Sequence, residues 1–150
     1  MTAINVSTEN NTYSSLDGVL FDKNKTKILA CPTGKSGKLT IPDGVTAIEK
    51  ACFEWCTLSA VTMPDSITSI GDYAFEGSAL TEITIPDKVT TIGTSAFESC
   101  SALKKAFIPD SITAIPDNAF QNCPNLIMYG SKGSYAETFA EKNNIIFASK

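Results

Sequence analysis

The sequence predicts a solenoid of stacked repeats with a parallel β-sheet along its concave side. Four Pro-Asp pairs lie 22 or 23 residues apart, the same residue types recur at fixed distances after each pair, and alternating apolar residues precede it. The prolines are Pro42, Pro64, Pro86 and Pro109. A single repeat of this length cannot bury its apolar face alone, so repeats of this kind fold by stacking on one another.

Apolar residues occupy the same positions in every repeat. An isoleucine follows each proline by six residues, and a phenylalanine follows it by eleven. The phenylalanines are Phe53, Phe75, Phe97 and Phe120. Because stacked repeats place equivalent residues above one another, we expect a continuous file of phenylalanine rings in the core.

The residues before each proline predict the strands of the sheet. In the segment 80–85, apolar and polar residues alternate over the last positions, which is the pattern of a half-buried strand. Proline donates no backbone hydrogen bond and ends the strand. After it, the V-T-x-I step predicts a second short strand on the convex side, and the D-Y-A-F type segment predicts a helical turn.

The same alternation predicts which side chains face outward from the sheet. If Val61, Ile83 and Ala106 point inward, the residues on either side of them point outward. Two outward columns result: Lys38, Ala60, Glu82 and Lys105, and Thr40, Thr62, Thr84 and Phe107. Solenoids bind with extended surfaces, so these eight residues are the candidate protein-binding surface. An exposed Phe107 is a candidate anchor, and its alternative role is a contact with Tyr129 or with the C-terminal cap.

Both ends of the repeat region carry predicted caps. The strand-like segments 19–21 and 27–31 flank a polar turn and predict a β-hairpin over the first repeat. At the other end, Ser134 and Glu137 form an S-x-x-E capping box that predicts a short helix. We therefore expect a flexible tail at 1–12, the hairpin cap at 13–38, four rungs at 39–129, and the C-terminal cap at 130–150 with its helix at 135–142.

The last rung departs from the pattern of the others. Tyr129 and Ser131 stand where the earlier rungs have an inward apolar pair. Such a change is expected of a terminal rung, because its outer face has no further repeat to pack against.

Composition and charge exclude several classes of function. A net charge of −4, from 12 basic and 16 acidic residues, disfavours binding to nucleic acid or to an anionic membrane surface. No apolar run has the ~18 residues of a membrane-spanning helix. The chain has no histidine, which removes His-based acid–base catalysis, Ser–His and Cys–His nucleophiles, and His-ligated metals. We expect no enzymatic activity, no catalytic residue, no cofactor and no bound metal.

The five cysteines do not show the spacing of a zinc site. Cys56, Cys100 and Cys123 occupy one column of the repeat, and we interpret them as a ladder of buried free thiols. A disulfide between Cys100 and Cys123 is the alternative, because neighbouring rungs lie ~4.8 Å apart. The odd number of cysteines leaves at least one thiol free in either case.

The repeated pattern L-x-x-I-T-I-P-D-x-V-T-x-I-G-x-x-A-F-x-x-C resembles the BspA-type leucine-rich repeats, and the segment 80–100 matches it almost position by position. The resemblance covers the region from Leu39 to Leu126. It implies a leucine-rich-repeat solenoid that is secreted or attached to a cell surface, typically in host-associated bacteria or protozoa. It also implies adhesion to host proteins or to other cells.

Two functional hypotheses remain open at this stage. The first is a non-enzymatic interaction module that binds a host extracellular or cell-surface protein through the solenoid face. The second is a structural spacer within a larger repeat protein, without affinity of its own. No signal peptide or membrane anchor is apparent, and we take a monomer as the default oligomeric state.

Overall fold

The computed structural model describes residues 1–150, whose twelve strands and single helix wind into a coil of about six turns. The predicted solenoid is thereby confirmed. The strands are β1 (Tyr13–Leu16), β2 (Val19–Asp22), β3 (Lys27–Ala30), β4 (Ser36–Thr40), β5 (Ala47–Ile48), β6 (Thr57–Thr62), β7 (Ser69–Ile70), β8 (Glu82–Thr84), β9 (Thr91–Ile92), β10 (Lys105–Phe107), β11 (Ile127–Gly130) and β12 (Ile146–Ser149). The helix α1 spans Tyr135–Lys142.

One side of the coil, which we call the sheet face, carries β4, β6, β8, β10, β11 and β12 in succession. The first two strands pair in parallel, as do the last four. Between β6 and β8, the Thr81 N–H donates to the Ser59 carbonyl at 3.2 Å. Six successive strands on this side account for six turns, two more than the four complete copies of the sequence pattern.

The V-T-x-I steps form the second sheet of the coil. Here β5, β7 and β9 continue the parallel pairing that β3 begins, and the sheet ends at β9. In the earlier rungs, the Gly71 N–H donates to Ile48 and the Gly93 N–H donates to Ile70. The equivalent residue of the fourth rung is Pro116, which has no N–H to donate, so this row of hydrogen bonds stops there.

A file of phenylalanine rings runs through the core, as the sequence predicts. Neighbouring rings of Phe53, Phe75, Phe97 and Phe120 lie 4.9, 5.2 and 4.9 Å apart, with interplanar angles of 2°, 4° and 6°. Phe139 of α1 meets the last ring edge-on at 6.2 Å. The rings belong to a single buried apolar cluster that extends from the N-terminal hairpin to α1. The two caps therefore share one core with the repeats.

The D-Y-A-F type segments fold as consecutive tight turns. In one of them, the N–H groups of Ala74 and Glu76 donate to the carbonyls of Gly71 and Tyr73, three residues earlier. Tyr73 and Gly77 have left-handed φ values of 57° and 62°. Because left-handed residues interrupt the right-handed turns, the helical turn predicted for this segment does not extend into a helix.

The N-terminal cap contains one strand more than the predicted hairpin. β2 and β3 pair antiparallel as expected, and β1 adds to the outer side of β2. The turn between β1 and β2 is Asp17-Gly18, with φ values of 49° and 75°. Asp-Gly is a strong signal for a two-residue hairpin turn, and this dipeptide is the sequence feature that indicates β1.

Residues 1–12 contain no strand or helix, but they contact the cap at several points. The Ile4 N–H donates to the Gly18 carbonyl at 2.8 Å, and the Val6 N–H donates to the Ser15 hydroxyl at 2.9 Å. The Lys23 ammonium reaches the carbonyl of Asn10 at 2.5 Å. These contacts connect the segment to the cap, and its flexibility stays a prediction.

Asp22 organises the turn between β2 and β3. Its carboxylate accepts hydrogen bonds from the Thr26 N–H at 2.7 Å, the Thr26 hydroxyl at 2.7 Å and the Lys27 N–H at 2.8 Å. Burial by itself would raise the pKa of this carboxyl group, but the hydrogen bonds outweigh it and hold the pKa below its ordinary value. The ionised form is therefore the one that stabilises the turn.

Asp22→Ala is expected to lower the free energy of unfolding at neutral pH by about 1–2 kcal/mol, because three hydrogen bonds to a carboxylate are lost. A pKa that folding lowers stabilises the chain above the ordinary value of 3.8, and this contribution fades as the pH falls below it. The difference between wild type and variant should shrink in acid. Urea denaturation at a series of pH values measures it, and Asp43→Ala, at an exposed position, is the control. A difference that stays constant down to low pH would contradict this role.

The C-terminal cap forms without the predicted capping box. The Ser134 hydroxyl is buried, makes no cap hydrogen bond and has no other partner. The Glu137 carboxylate instead accepts from the Gly133 N–H at 2.6 Å, one residue before the position that a capping box uses. Glu137 thus still satisfies a backbone donor ahead of the helix. The helix ends at Lys142 with Asn143 as its C-cap, and Asn144 has a left-handed φ of 55°.

Candidate functional site

The sheet face brings the eight candidate binding residues into two straight columns. Lys38 and Thr40 lie in register with Ala60 and Thr62, and Lys105 and Phe107 lie in register with Glu82 and Thr84. Between β6 and β8, the Thr81 N–H donates to the Ser59 carbonyl. One rung further on, the Lys104 N–H donates to the Thr81 carbonyl in the same way. The eight residues therefore share one face of the coil.

Their exposure follows the strand alternation. Six of the eight are exposed, while Ala60 and Phe107 are half-buried. The residues between them, Val61, Ile83 and Ala106, are buried. Whether the eight residues bind a partner stays a prediction.

The aromatic residue of this face has a stacked partner. The rings of Phe107 and Tyr129 lie 4.8 Å apart with an interplanar angle of 23°, and both residues are half-buried. Stacking covers one side of each ring and leaves the pair as a single aromatic surface. Phe107 thus makes the contact with Tyr129 that was its alternative role, and it still remains partly open to solvent.

Tyr129 was expected to take an inward position, and the structure shows that this was wrong. In register with Ala106, the inward residue of the fifth strand is Met128, which is fully buried, and Tyr129 lies opposite Phe107. Met128 lies two positions after Leu126, whereas Ala106 lies three positions after Leu103. A one-residue shift exchanges the two faces of a strand, so the shorter spacing turns the tyrosine outward.

Both columns continue beyond the residues chosen from the sequence. Ile127 and Ile146 follow Lys105 in register, and Tyr129 and Ala148 follow Phe107. Ile146 is 66% exposed, the highest value for a large apolar residue other than Met1. Together, these two columns end in the set that we call the apolar end: Phe107, Tyr129, Ile127, Ile146 and Ala148. The repeat pattern indicates one member of it, Phe107, because β11 and β12 lie outside the four complete repeats.

Charge on the sheet face is sparse and mixed. Its charged candidates are Lys38, Glu82 and Lys105, and neither of the two ion pairs of the molecule involves them. The threonines of the neighbouring column, Thr40, Thr62 and Thr84, are exposed to solvent. The apolar end is therefore the feature that distinguishes one part of this face from the rest.

A cavity of about 790 Å³ adjoins the apolar end between the last rung and the C-terminal cap. Ile127 and Ile146 line it, together with Phe120, Phe139 and a set of carboxamide side chains. On its rim, the Lys142 ammonium donates to Asp117 at 2.7 Å, which raises the pKa of Lys142. The apolar end thus continues into a recess rather than onto a flat surface.

The cysteines lie away from the sheet-face columns. Cys31, Cys52, Cys56 and Cys100 are buried, Cys123 is half-buried, and all five are free thiols. The thiols of Cys100 and Cys123 donate to backbone carbonyls of the preceding rung. Cys100 donates to the Phe75 carbonyl at 3.0 Å, and Cys123 donates to the Phe97 carbonyl at 3.1 Å. They pack as small side chains within the stack.

None of the helical structure in the molecule combines the length and the apolar character that crossing a bilayer requires.

Several solved structures are similar to this chain. A leucine-rich repeat protein from Eubacterium ventriosum is 34% identical with a TM-score of 0.80, over 87% of this chain and 37% of that one. A leucine rich cell surface protein from Faecalibacterium prausnitzii is 30% identical with a TM-score of 0.51, over 65% of this chain and 38% of that one. The pneumococcal vaccine antigen PcpA is 18% identical with a TM-score of 0.70, over 99% of this chain and 50% of that one, and shows the fold alone.

This chain spans half or less of the length of these three structures. No curated protein matches it. The model of the BspA type leucine rich repeat region matches residues 30–144 in six copies, which agrees with the six strands of the sheet face and exceeds the four rungs counted from the sequence. The chain belongs to the BspA type leucine rich repeat family.

Proposed function

We propose that this chain is a non-enzymatic module that binds a host extracellular or cell-surface protein through its sheet face. Leucine-rich-repeat chains are repeat modules for protein interaction, and the family is generally non-enzymatic. We further propose that the partner is a host extracellular or cell-surface protein and that the sheet face is the surface that binds it.

One observation carries the proposal: the apolar end of the sheet face presents a stacked aromatic pair and a largely exposed isoleucine. Phe107 and Tyr129 form the pair, and Ile146 lies in the neighbouring column, two strands from Lys105. Aromatic residues held in a rigid scaffold dominate binding energy at protein interfaces, because they bury a large area at a low cost in conformational entropy. The remaining sheet face, with its threonines and isolated charges, suits the polar rim of such an interface.

The proposed location is outside the cell. BspA-like proteins are often secreted or found at the surface, and the Faecalibacterium prausnitzii structure is described as a cell surface protein. A host partner follows from this location, because a surface module of a host-associated bacterium meets extracellular host proteins. We propose that the module acts as a monomer.

Binding is tested with the purified chain immobilised as bait for host extracellular matrix and plasma proteins. Mass spectrometry identifies a retained protein, and titration calorimetry with that protein, purified, then measures the dissociation constant. We expect one host protein to be retained and its binding to saturate in the titration. If no host protein binds the wild-type chain, the structural spacer replaces the interaction module.

Phe107→Ala is expected to weaken the interaction by about 2 kcal/mol, which is a rise of roughly 30-fold in the dissociation constant. The aromatic pair loses half of its area, and the strand backbone that carries it stays paired on both sides. Calorimetry measures the loss of affinity, and circular dichroism verifies that the variant folds.

Trp55→Ala is the matched control for this variant. Trp55 is also a large aromatic residue, 56% exposed, but it lies on a turn outside the sheet face and packs beside Gly77. Its replacement should leave the dissociation constant unchanged. Affinity that depends on Trp55 and not on Phe107 would overturn the assignment to the sheet face.

A further inference from the structure

Two buried cysteines lie side by side where the N-terminal cap meets the first rung. The Sγ atoms of Cys31 and Cys56 are 3.4 Å apart, although 25 positions separate the residues in sequence. Cys31 directly follows β3, and Cys56 directly precedes β6. The contact therefore joins the cap to the repeat region.

Backbone hydrogen bonds on both sides hold the two cysteines in place. The Cys31 N–H donates to the Cys52 carbonyl at 2.7 Å, and the Thr57 N–H donates to the Thr33 carbonyl at 3.3 Å. Beyond them, the Thr57 hydroxyl donates to the Lys35 carbonyl at 2.9 Å. The two segments are already aligned, so bonding the sulfurs at ~2.05 Å requires side-chain adjustment of little more than an ångström.

The environment of the pair favours a reactive thiolate at Cys56. The hydrogen bond with Cys31 lowers the pKa of the Cys56 thiol and raises that of Cys31. The positive charge of Lys35 acts in the same direction on Cys56. A thiolate is the nucleophile in thiol–disulfide exchange, so Cys56 is the residue that would react first.

The remaining cysteines have different contacts. Cys100 and Cys123 each donate to a carbonyl of the preceding rung, at 3.0 and 3.1 Å, and Cys100 also contacts the Ser78 hydroxyl at 3.4 Å. Cys52 is buried, and no group of three or more potential ligands is placed to hold a metal ion. A hydrogen bond between the thiols of Cys100 and Cys123 also lowers the pKa of Cys100 and raises that of Cys123. A sulfur–sulfur distance of 3.4 Å, between two segments that backbone hydrogen bonds hold together, is found at Cys31 and Cys56.

We propose that Cys31 and Cys56 are a disulfide-forming pair, which locks the N-terminal cap onto the first rung when the chain meets a small-molecule disulfide such as oxidised glutathione. The Cys56 thiolate attacks the glutathione disulfide and releases one glutathione thiolate, leaving a mixed disulfide on Cys56. Cys31 gives up its proton to the released glutathione thiolate, attacks the Cys56 sulfur and displaces the second glutathione as a thiolate, which takes up a proton from water. Two protein thiols are oxidised to one disulfide, and one oxidised glutathione is reduced to two thiols.

The experiment counts thiols before and after oxidation. The reduced chain is incubated with oxidised glutathione, both in the native state and during refolding from urea in a glutathione redox buffer. It is then unfolded and alkylated. Five alkylated cysteines in the reduced chain should fall to three in the oxidised one. Peptide mapping should recover one cross-linked peptide, containing Cys31 and Cys56. Because the bond closes a loop of about 26 residues, Tm should rise by roughly 5–10 °C.

Two variants make the test specific. Cys31→Ser should form no internal disulfide and should stop at the mixed disulfide of Cys56 with glutathione, which leaves three free thiols out of four, whereas Cys123→Ser should fall from four to two. A wild-type chain that retains five thiols in both arms, that stops at the mixed disulfide with glutathione, or that yields a cross-link between Cys100 and Cys123 would overturn the proposal. These readouts do not depend on any binding partner.

Discussion

Phe97→Ala is expected to lower the free energy of unfolding by about 3–5 kcal/mol. Phe97 is fully buried and stacks on both neighbours in the file, with ring centroids 5.2 Å from Phe75 and 4.9 Å from Phe120. Its removal leaves a cavity between two rings that backbone bonds hold at the spacing of the rungs. The Phe97 N–H itself donates to the Ala119 carbonyl at 2.8 Å, so the rungs cannot readily close the gap.

Urea denaturation of the variant measures the loss. Phe107→Ala is the matched control, because it removes the same side chain from a half-buried site on the sheet face. That control should lose clearly less stability than the core variant. Equal losses at the two sites would show that the file of rings does not carry the stability that its burial indicates.

Gly93→Ala is expected to destabilise the chain by about 3 kcal/mol, because overpacking here pushes against backbone and not against a flexible side chain. A Cβ atom at Gly93 would lie 2.4 Å from the Asp72 nitrogen and 2.4 Å from the Gly71 carbonyl carbon. Both atoms belong to the preceding rung. Moving them would disturb the bond from the Gly93 N–H to Ile70, at 2.9 Å, and the pairing of β7 with β9.

Gly133→Ala separates this steric effect from the loss of glycine's backbone freedom. Gly133 has a left-handed φ of 80°, and nothing lies within 4 Å of the position of a Cβ atom. We expect a loss of about 1 kcal/mol from backbone strain alone. Thermal melts and urea denaturation of both variants measure the difference. If Gly93→Ala were the milder change, close approach of the rungs would not be what requires glycine at this position.

The outward columns could be predicted from the spacing of the repeats and the alternation along the strands. From Lys38 to Phe107, repeat intervals of 22 or 23 residues and strict alternation were enough to place eight side chains on one face. The same reasoning failed at Tyr129, because one residue fewer between Leu126 and Met128 reverses the side to which each strand residue points. A spacing that is shorter by one residue is hard to notice in the sequence, but it reverses the side of the sheet to which every side chain of the strand points.

The C-terminal cap shows a second limit. Gly130 takes the inward position next to Met128, where a Cβ atom would lie 3.2 Å from Ala136 and 3.3 Å from Phe147. The glycine is therefore explained by the helix and strand that pack over it. No local pattern in the sequence indicates which later segment covers which earlier one.

The sequence alone indicates the stacked coil, because identical apolar residues at 22- or 23-residue intervals can all be buried together only in register. It also indicates the phenylalanine file and most of the outward columns, since strand alternation leaves one choice of face. The apolar end and the contact between Cys31 and Cys56 become visible only in the folded chain. Both arise where non-repeating segments meet the repeats, and such contacts depend on how the chain ends fold back in space and not on any period in the sequence.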